Sequence, residues 1–247
     1  MPTSRSAILT ASILAASAAH AQTADFALKA SLDDGLTWHS YVVCMPGNSV
    51  TVGLFASTTG AYAFASALYQ IRGDWFLGSG DTIQISGPGL GRQSPFNFGA
   101  SSEAVFTTPN SFRIDHSADA ANSSNLSINS FQQSPPAAGD AFSTANPALL
   151  YKFNALMSNP DGSIINLSTP LDQITDSLGR FKVNIYADQN SPLGTRITAL
   201  TVSGCTIDSY TPTPGTSTLL LAAAAWLSPH RRRTPHTPHT PISHAAR

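Results

Sequence analysis

The chain has 247 residues, with 13 Lys or Arg against 14 Asp or Glu, and only 11% of its residues are charged, compared with about 25% in an average soluble domain. This balance excludes a basic nucleic-acid binder, which needs a Lys/Arg surplus, and argues against a Glu/Lys-rich helical bundle or coiled coil. With 42% hydrophobic residues the chain has enough apolar material for a core, which excludes a highly charged disordered protein.

Residues 1–21 have the layout of a secretory signal peptide. Arg5 supplies the positive end, Ala7 to Ala19 is a run of small and apolar residues, and Ala19-His20-Ala21 is an A-x-A cleavage site that places the mature start at Gln22. Signal peptidase is the partner this implies, and a short N-terminal helix is the alternative reading. After removal of both ends, residues 22–211 carry eight basic and fourteen acidic side chains, a net charge of −6, and thirteen of the acids are Asp. Asp in such excess is a turn signature, because its carboxylate bonds to nearby backbone.

From Asp25 onward the chain reads as short strands divided by turns. Asp25 to Ser31 alternates, and Trp38 to Cys44 is aromatic and β-branched. Between them stands Ser31-Leu32-Asp33-Asp34-Gly35-Leu36-Thr37-Trp38, which resembles an Asp box, S-x-D-x-G-x-T-W. The resemblance implies a structural β-hairpin turn in which Asp caps backbone amides and Trp covers the bend. Strands 25–31 and 37–44 are expected to form that hairpin. No cofactor is expected; structural calcium at Asp33 and Asp34 is the minor alternative.

Pro46-Gly47-Asn48 opens the next unit, followed by Ser49 to Ser57 and Ala61 to Arg72. This stretch, PGNSVTVGLFASTTGAYAFASALYQI, resembles the opening of cohesin-like and related carbohydrate-binding β-sandwiches, a likeness of fold over about 25 residues that does not name a ligand. Strands are expected at Thr82–Ser86, Ala104–Thr107, Ser111–Asp115 and Leu126–Phe131, within a less regular stretch, residues 73–147, that predicts long loops. Leu149, Tyr151, Phe153, Ala155 and Met157 predict one core-facing strand side. Ser163–Leu167, Gly179–Ala187 and Arg196–Ser203 follow, with a short helix over Pro170 to Ser177. The expected fold is all-β: a single antiparallel β-sandwich (jelly-roll, Ig-like or cohesin-like) over residues 22–210 with long loops, plus a short C-terminal hydrophobic helix.

The C-terminus carries a second address. Thr211 to Gly215 reads TPTPG, Leu219 to Leu227 is apolar, and Arg231, Arg232 and Arg233 follow. This order resembles the PEP-CTERM sorting signal of exported bacterial proteins over residues 211–233. The resemblance implies export, transient membrane attachment through the short helix, and processing near Pro212, Thr213, Pro214 and Gly215 by an exosortase-type enzyme. Two departures stand out: Thr213 occupies the usual central Glu position, and the chain continues past the arginines through a Thr-Pro-His tail, residues 234–247, expected to be disordered. Arginines after the apolar run favour a cytoplasmic side, and the run itself is shorter than the roughly 20 residues of a comfortable span.

Chemistry is harder to find. There is no G-x-S-x-G, Walker A or H-E-x-x-H pattern. Asp115-His116 with Asp119 is a small cation-site candidate, with a polar turn as the stronger reading, and no metal site is assigned. Cys44 and Cys205 are a disulfide candidate, since an exported chain meets an oxidising compartment and first and last strands of sandwiches often lie together. Sugar binding needs exposed aromatics with polar neighbours; Trp75 and Phe76, beside Asp74 in RGDWFLGSGD, are the first candidates, Phe96 and Phe98 the next, and core burial is an equal alternative for each. The reading is a non-catalytic, exported cell-surface or extracellular-matrix protein of a bacterium with an outer membrane. A carbohydrate-binding module, with extracellular polysaccharide as partner, is the alternative. A secreted hydrolase is third, because no carboxylate pair stands out for general acid–base work.

Overall fold

The computed structural model describes residues 21–76, 80–99, 102–116, 127–135 and 142–210. They form an all-β sandwich. In chain order the elements are β1 (Thr23–Ser31), β2 (Tyr41–Cys44), β3 (Ser49–Thr59), β4 (Ala63–Tyr69), β5 (Ile71–Phe76), β6 (Thr82–Gln84), β7 (Gly91–Arg92), β8 (Glu103–Thr108), β9 (Ser111–His116) and β10 (Ile128–Phe131). β11 (Ala148–Leu156), β12 (Ser163–Ser168), the single helical turn α1 (Leu171–Ile174), β13 (Val183–Tyr186), β14 (Thr195–Arg196), β15 (Ala199–Ser203) and β16 (Cys205–Ser209) complete it.

The first sheet runs β15-β1-β3-β11-β6, with β7 also on β11; the second runs β10-β4-β13-β14; the third runs β2-β16-β12-β5-β9-β8. One apolar core draws on all three: Phe26 and Leu28 from β1, Tyr69 from β4, and Ile71, Ile165 and Ile207 from the third sheet. Period-2 patterning dictates this, since alternate side chains reach opposite faces; β12 alternates buried and exposed over its whole length. Phe26 meets the Tyr69 ring edge-on at 6.1 Å, and the Tyr69 hydroxyl shares a 2.7 Å hydrogen bond with Ser130 Oγ, so the buried ring carries no unsatisfied polar atom.

Several expectations change. Ser31 and His39 do not bound a hairpin ladder: β1 pairs with β3 and β15, and only the Ala30–His39 bridge joins it to the following segment. β2 leaves to pair with β16 in the third sheet, in parallel, so two parallel pairs, β1·β15 and β2·β16, accompany the antiparallel ones. A further strand, β16, follows the expected Arg196–Ser203 segment and begins at Cys205. Residues 61–72 are two strands, with Gln70 the one residue between β4 and β5 where the chain changes sheets. A bulge between Leu149 and Tyr151 shifts register, so Leu150 is buried and Leu149 is only half-buried; a bulge places one extra residue in the strand and re-aims its neighbours.

Candidate functional site

The Asp-box segment is built as a closed hydrogen-bond unit. Asp33 accepts from Ser31 Oγ at 2.6 Å, from the Thr37 amide at 2.9 Å and from Thr37 Oγ1 at 2.7 Å, while Ser31 Oγ accepts from the Gly35 amide at 2.8 Å. These donors, Ser31 foremost, hold the Asp33 carboxyl well below its ordinary value. Gly35 has φ +93°, which a side chain rarely adopts, and Trp38 lies directly over it. The same indole crosses Gly53 of β3, where a Cβ would stand 2.9 Å from the ring, and meets Phe55 edge-on at 5.1 Å. The segment therefore seals the outer face of the first sheet. Both Asp33 carboxylate oxygens are engaged by Ser31 and Thr37.

The more informative surface is the outer face of the third sheet at β8, β9 and β5. Two five-residue stretches carry the same alternation: Gln70-Ile71-Arg72-Gly73-Asp74 and Ser111-Phe112-Arg113-Ile114-Asp115. Ile71, Phe112 and Ile114 point into the core and are buried, so the polar members share the outer face. Because β5 and β9 are antiparallel, Arg72 sits directly opposite Arg113 and Asp74 opposite Ser111. On the far side of β9, Arg113 faces Phe106 and Ser111 faces Thr108.

Like charges directly opposed across a ladder are destabilising. Next along the same face, two residues from Arg113, lies the group that offsets the repulsion. Asp115, with no exposed surface, forms an ion pair with Arg113, whose Nε lies 2.8 Å from its Oδ2, and accepts a hydrogen bond from Gln70 Nε2 at 2.9 Å, while Gln70 Oε1 accepts from Arg72 Nε at 2.6 Å. Arg72 is thus held by a hydrogen bond and Arg113 by an ion pair, each at its Nε. Burial pushes the Asp115 carboxyl up from its ordinary value, and the Arg113 charge opposes that push. The Arg113 guanidinium lies 4.7 Å from the centre of the Phe106 ring, a cation–π contact that fixes its plane. Arg72, Asp74, Phe106, Thr108, Ser111 and Arg113 line a depression of about 350 Å³. Thr108 Oγ1 and Ser111 Oγ lie 2.8 Å apart at its other end.

Gly73 makes this arrangement fit. Its missing side chain lets Phe112 lie across β5: a Cβ there would stand 2.1 Å from Phe112 Cε1. Phe112 meets Trp75 edge-on at 5.7 Å and Phe153 at 6.3 Å.

The residues singled out from sequence distribute as follows. Trp75 is not in a loop but on β5, half-buried and packed on the core, opposite Ile165 of β12. Its indole Nε1 is buried and donates to no acceptor among the described residues. A rigid strand packed on both sides carries it, so it is not a free stacking platform. Phe76 ends the same strand. Asp74 is exposed and lines the depression. Phe96 is core, edge-on to Phe64 at 5.5 Å, whereas Phe98 is 45% exposed. Asp115 belongs to the arginine support, and Asp119 lies outside the described residues; among the described residues no group of three His, Cys, Asp or Glu is gathered for a metal. The Cys44–Cys205 pairing is corrected: β2 and β16 are indeed neighbours, but Cys44 faces Ser209, while Cys205 precedes Thr206, which faces Tyr41. A four-residue offset separates the two cysteines by about 13 Å along the strands, beyond disulfide reach, and both thiols are free and buried. Gln22 leads straight into β1, its carbonyl accepting from the Thr198 amide at 2.8 Å. Ala19, Pro212 to Gly215, the apolar run and Arg231 to Arg233 lie outside the described residues, and no described helix is long and apolar enough to cross a membrane.

No protein-family model matches the chain, and no curated protein does. Solved structures similar to it are cohesin modules. The seventh ScaB type I cohesin from Pseudobacteroides cellulosolvens is 9% identical, covers 77% of this chain and 94% of its own, with a TM-score of 0.40. The second type II cohesin module of the adaptor ScaA scaffoldin from Acetivibrio cellulolyticus is 11% identical, over 81% of this chain and 97% of that one, with a TM-score of 0.39. A type I cohesin–dockerin complex from Clostridium thermocellum gives 9% identity, 76% and 99% coverage and a TM-score of 0.37. The likeness brings no residue correspondence, and the arginine depression rests on this chain's own side chains.

Proposed function

We propose that the protein is an exported, non-catalytic component of the bacterial cell surface or extracellular matrix, whose β-sandwich is delivered by an N-terminal signal and sorted through its C-terminal segment. The observation that carries this reading is the order of features along one chain: a signal-type leader ending at Ala21, a β-rich body, then TPTPG, an apolar run and three arginines. The use of the carboxylates supports the non-catalytic part. Asp33 closes a turn, Asp81 binds the Asn159 amide and the Ser163 hydroxyl beneath β12, Asp115 supports arginines, and Asp176 caps the Leu178 and Arg180 amides. Each is engaged in holding structure.

Intact mass and cell fractionation of the protein in an exporting host test the reading. The expected product begins at Gln22, has lost its C-terminal segment and is found at the surface or outside. A chain that keeps Met1, or that still ends at Arg247 and never associates with a membrane, refutes it.

A further inference from the structure

The depression on β5, β9 and β8 combines three chemistries. At one end stand the two opposed arginines, Arg72 held through Nε by Gln70 and Arg113 ion-paired with Asp115. At the other end are the Thr108 and Ser111 hydroxyls, which both donate and accept. Beside the arginines is Asp74, an acceptor, on the same face.

Each part narrows the ligand. Paired, pre-oriented arginines match a planar oxyanion such as a carboxylate, which accepts parallel N–H bonds. On a body of net charge −6, two arginines facing one another are a local exception maintained by a fully buried aspartate. That investment is not explained by packing, because two apolar residues would pair across the strands without it. Asp74 then excludes a purely anionic ligand: an acidic peptide gains nothing from a carboxylate beside its binding groups. A ligand bearing one carboxylate and several hydroxyls uses everything present, its acid group on Arg72 and Arg113 and its hydroxyls on Asp74, Ser111 and Thr108. At about 350 Å³ the depression falls in the size range of small-ligand sites.

We propose that this depression is a binding site for a sugar acid, a uronate unit of an acidic polysaccharide. The site does not depend on the export reading; mass and fractionation test that one, and solution binding tests this one.

The test is calorimetric titration of the full chain with trigalacturonate, with its carboxyl-reduced neutral trimer and with hexaglutamate. Saturable binding of trigalacturonate alone is expected. Arg72→Gln, at an exposed position, is expected to weaken it at least about tenfold, the loss of a charge-assisted contact. Asp74→Asn separates the alternatives by sign. A uronate site exchanges one charged acceptor oxygen for an amide NH2 and binds about fivefold more weakly, whereas a merely positive patch loses a repulsive charge and binds more tightly. Unchanged near-UV circular dichroism certifies the fold of each variant. No saturable binding, an unaffected Arg72→Gln variant, hexaglutamate binding of equal strength, or tighter binding by Asp74→Asn would each overturn the proposal.

Discussion

Replacing Gly73 by Ala adds one methyl group and tests the packing on which the arginine face depends. Gly73 does not have a left-handed backbone, so alanine meets no conformational obstacle. On chain entropy alone the change would stabilise by about 0.4–1 kcal/mol. The packing opposes it: the new Cβ would stand 2.1 Å from Phe112 Cε1 and 2.6 Å from Cζ. The ring must retreat by more than about 1 Å to restore ordinary contact, and Trp75 and Phe153 stand against it. Overpacking of this kind costs about 1–3 kcal/mol, and the size of the overlap places this case at the upper end. The expected net loss is about 2 kcal/mol, a fall in Tm of about 4–8 °C for a domain of this size, read by thermal unfolding under reversible conditions. Phe112→Leu, introduced in the Gly73→Ala background, removes the obstructing ring atoms, so the two changes together should cost less than their sum by at least about 0.5 kcal/mol. Gly47, with φ +91° and open space around its would-be Cβ, is the comparison: alanine there meets only backbone strain, about 1–2 kcal/mol, and no Phe112 variant should relieve it. A Gly73→Ala protein that melts at or above the parent Tm would refute the stacking of Phe112 over β5.

Other consequences are open to measurement. Burial pushes the Cys44 thiol up to about 11 and the Cys205 thiol up to about 12, so the native protein at pH 8 should resist alkylation, while the chain unfolded without reductant should label at both cysteines; an unfolded chain with no reactive thiol would mean that β2 and β16 are offset differently. Asp33 is held low by Ser31 and Thr37, and Asp176 is held at about 2, chiefly by the Arg180 amide. Both folded values lie below the unfolded one, near 3.9, so the stability they contribute is complete above that value and lost as pH falls from about 5 toward 2. Asp33→Asn should therefore flatten the acid limb of the Tm–pH curve, and a variant curve parallel to the parent's across that interval would contradict this account.

The strands themselves were largely legible in the sequence, because a half-buried strand must alternate and a turn must admit Gly, Asn, Asp or Pro. The Asp-box segment was legible for the same local reason: Ser31, Asp33 and Thr37 bond to one another within seven residues. Its partner strand was not. Whether β2 continues a hairpin or crosses to another sheet depends on β16, more than 160 residues away, as the Tyr41–Asp208 hydrogen bond shows. Cys44 and Cys205 illustrate the limit further: strand adjacency could be guessed, but the four-residue offset that separates them is a property of register.

The arginine face falls between these cases. The repeated alternation in Gln70-Arg72-Asp74 and Ser111-Arg113-Asp115 was visible and would have marked two polar outer edges. Trp75 is the more conspicuous feature of the same stretch, because aromatic residues beside glycines suggest a loop, yet it stands on β5. Sequence alone determined the all-β character, the turn positions and the acidic balance, since these follow from local sterics, side-chain periodicity and charge counts. Only the tertiary structure decided that β5 and β9 are antiparallel neighbours in a register that sets Arg72 against Arg113 and places Gln70 and Asp115 beside them on the same face, because cross-strand register is fixed by packing over the whole core rather than by either strand.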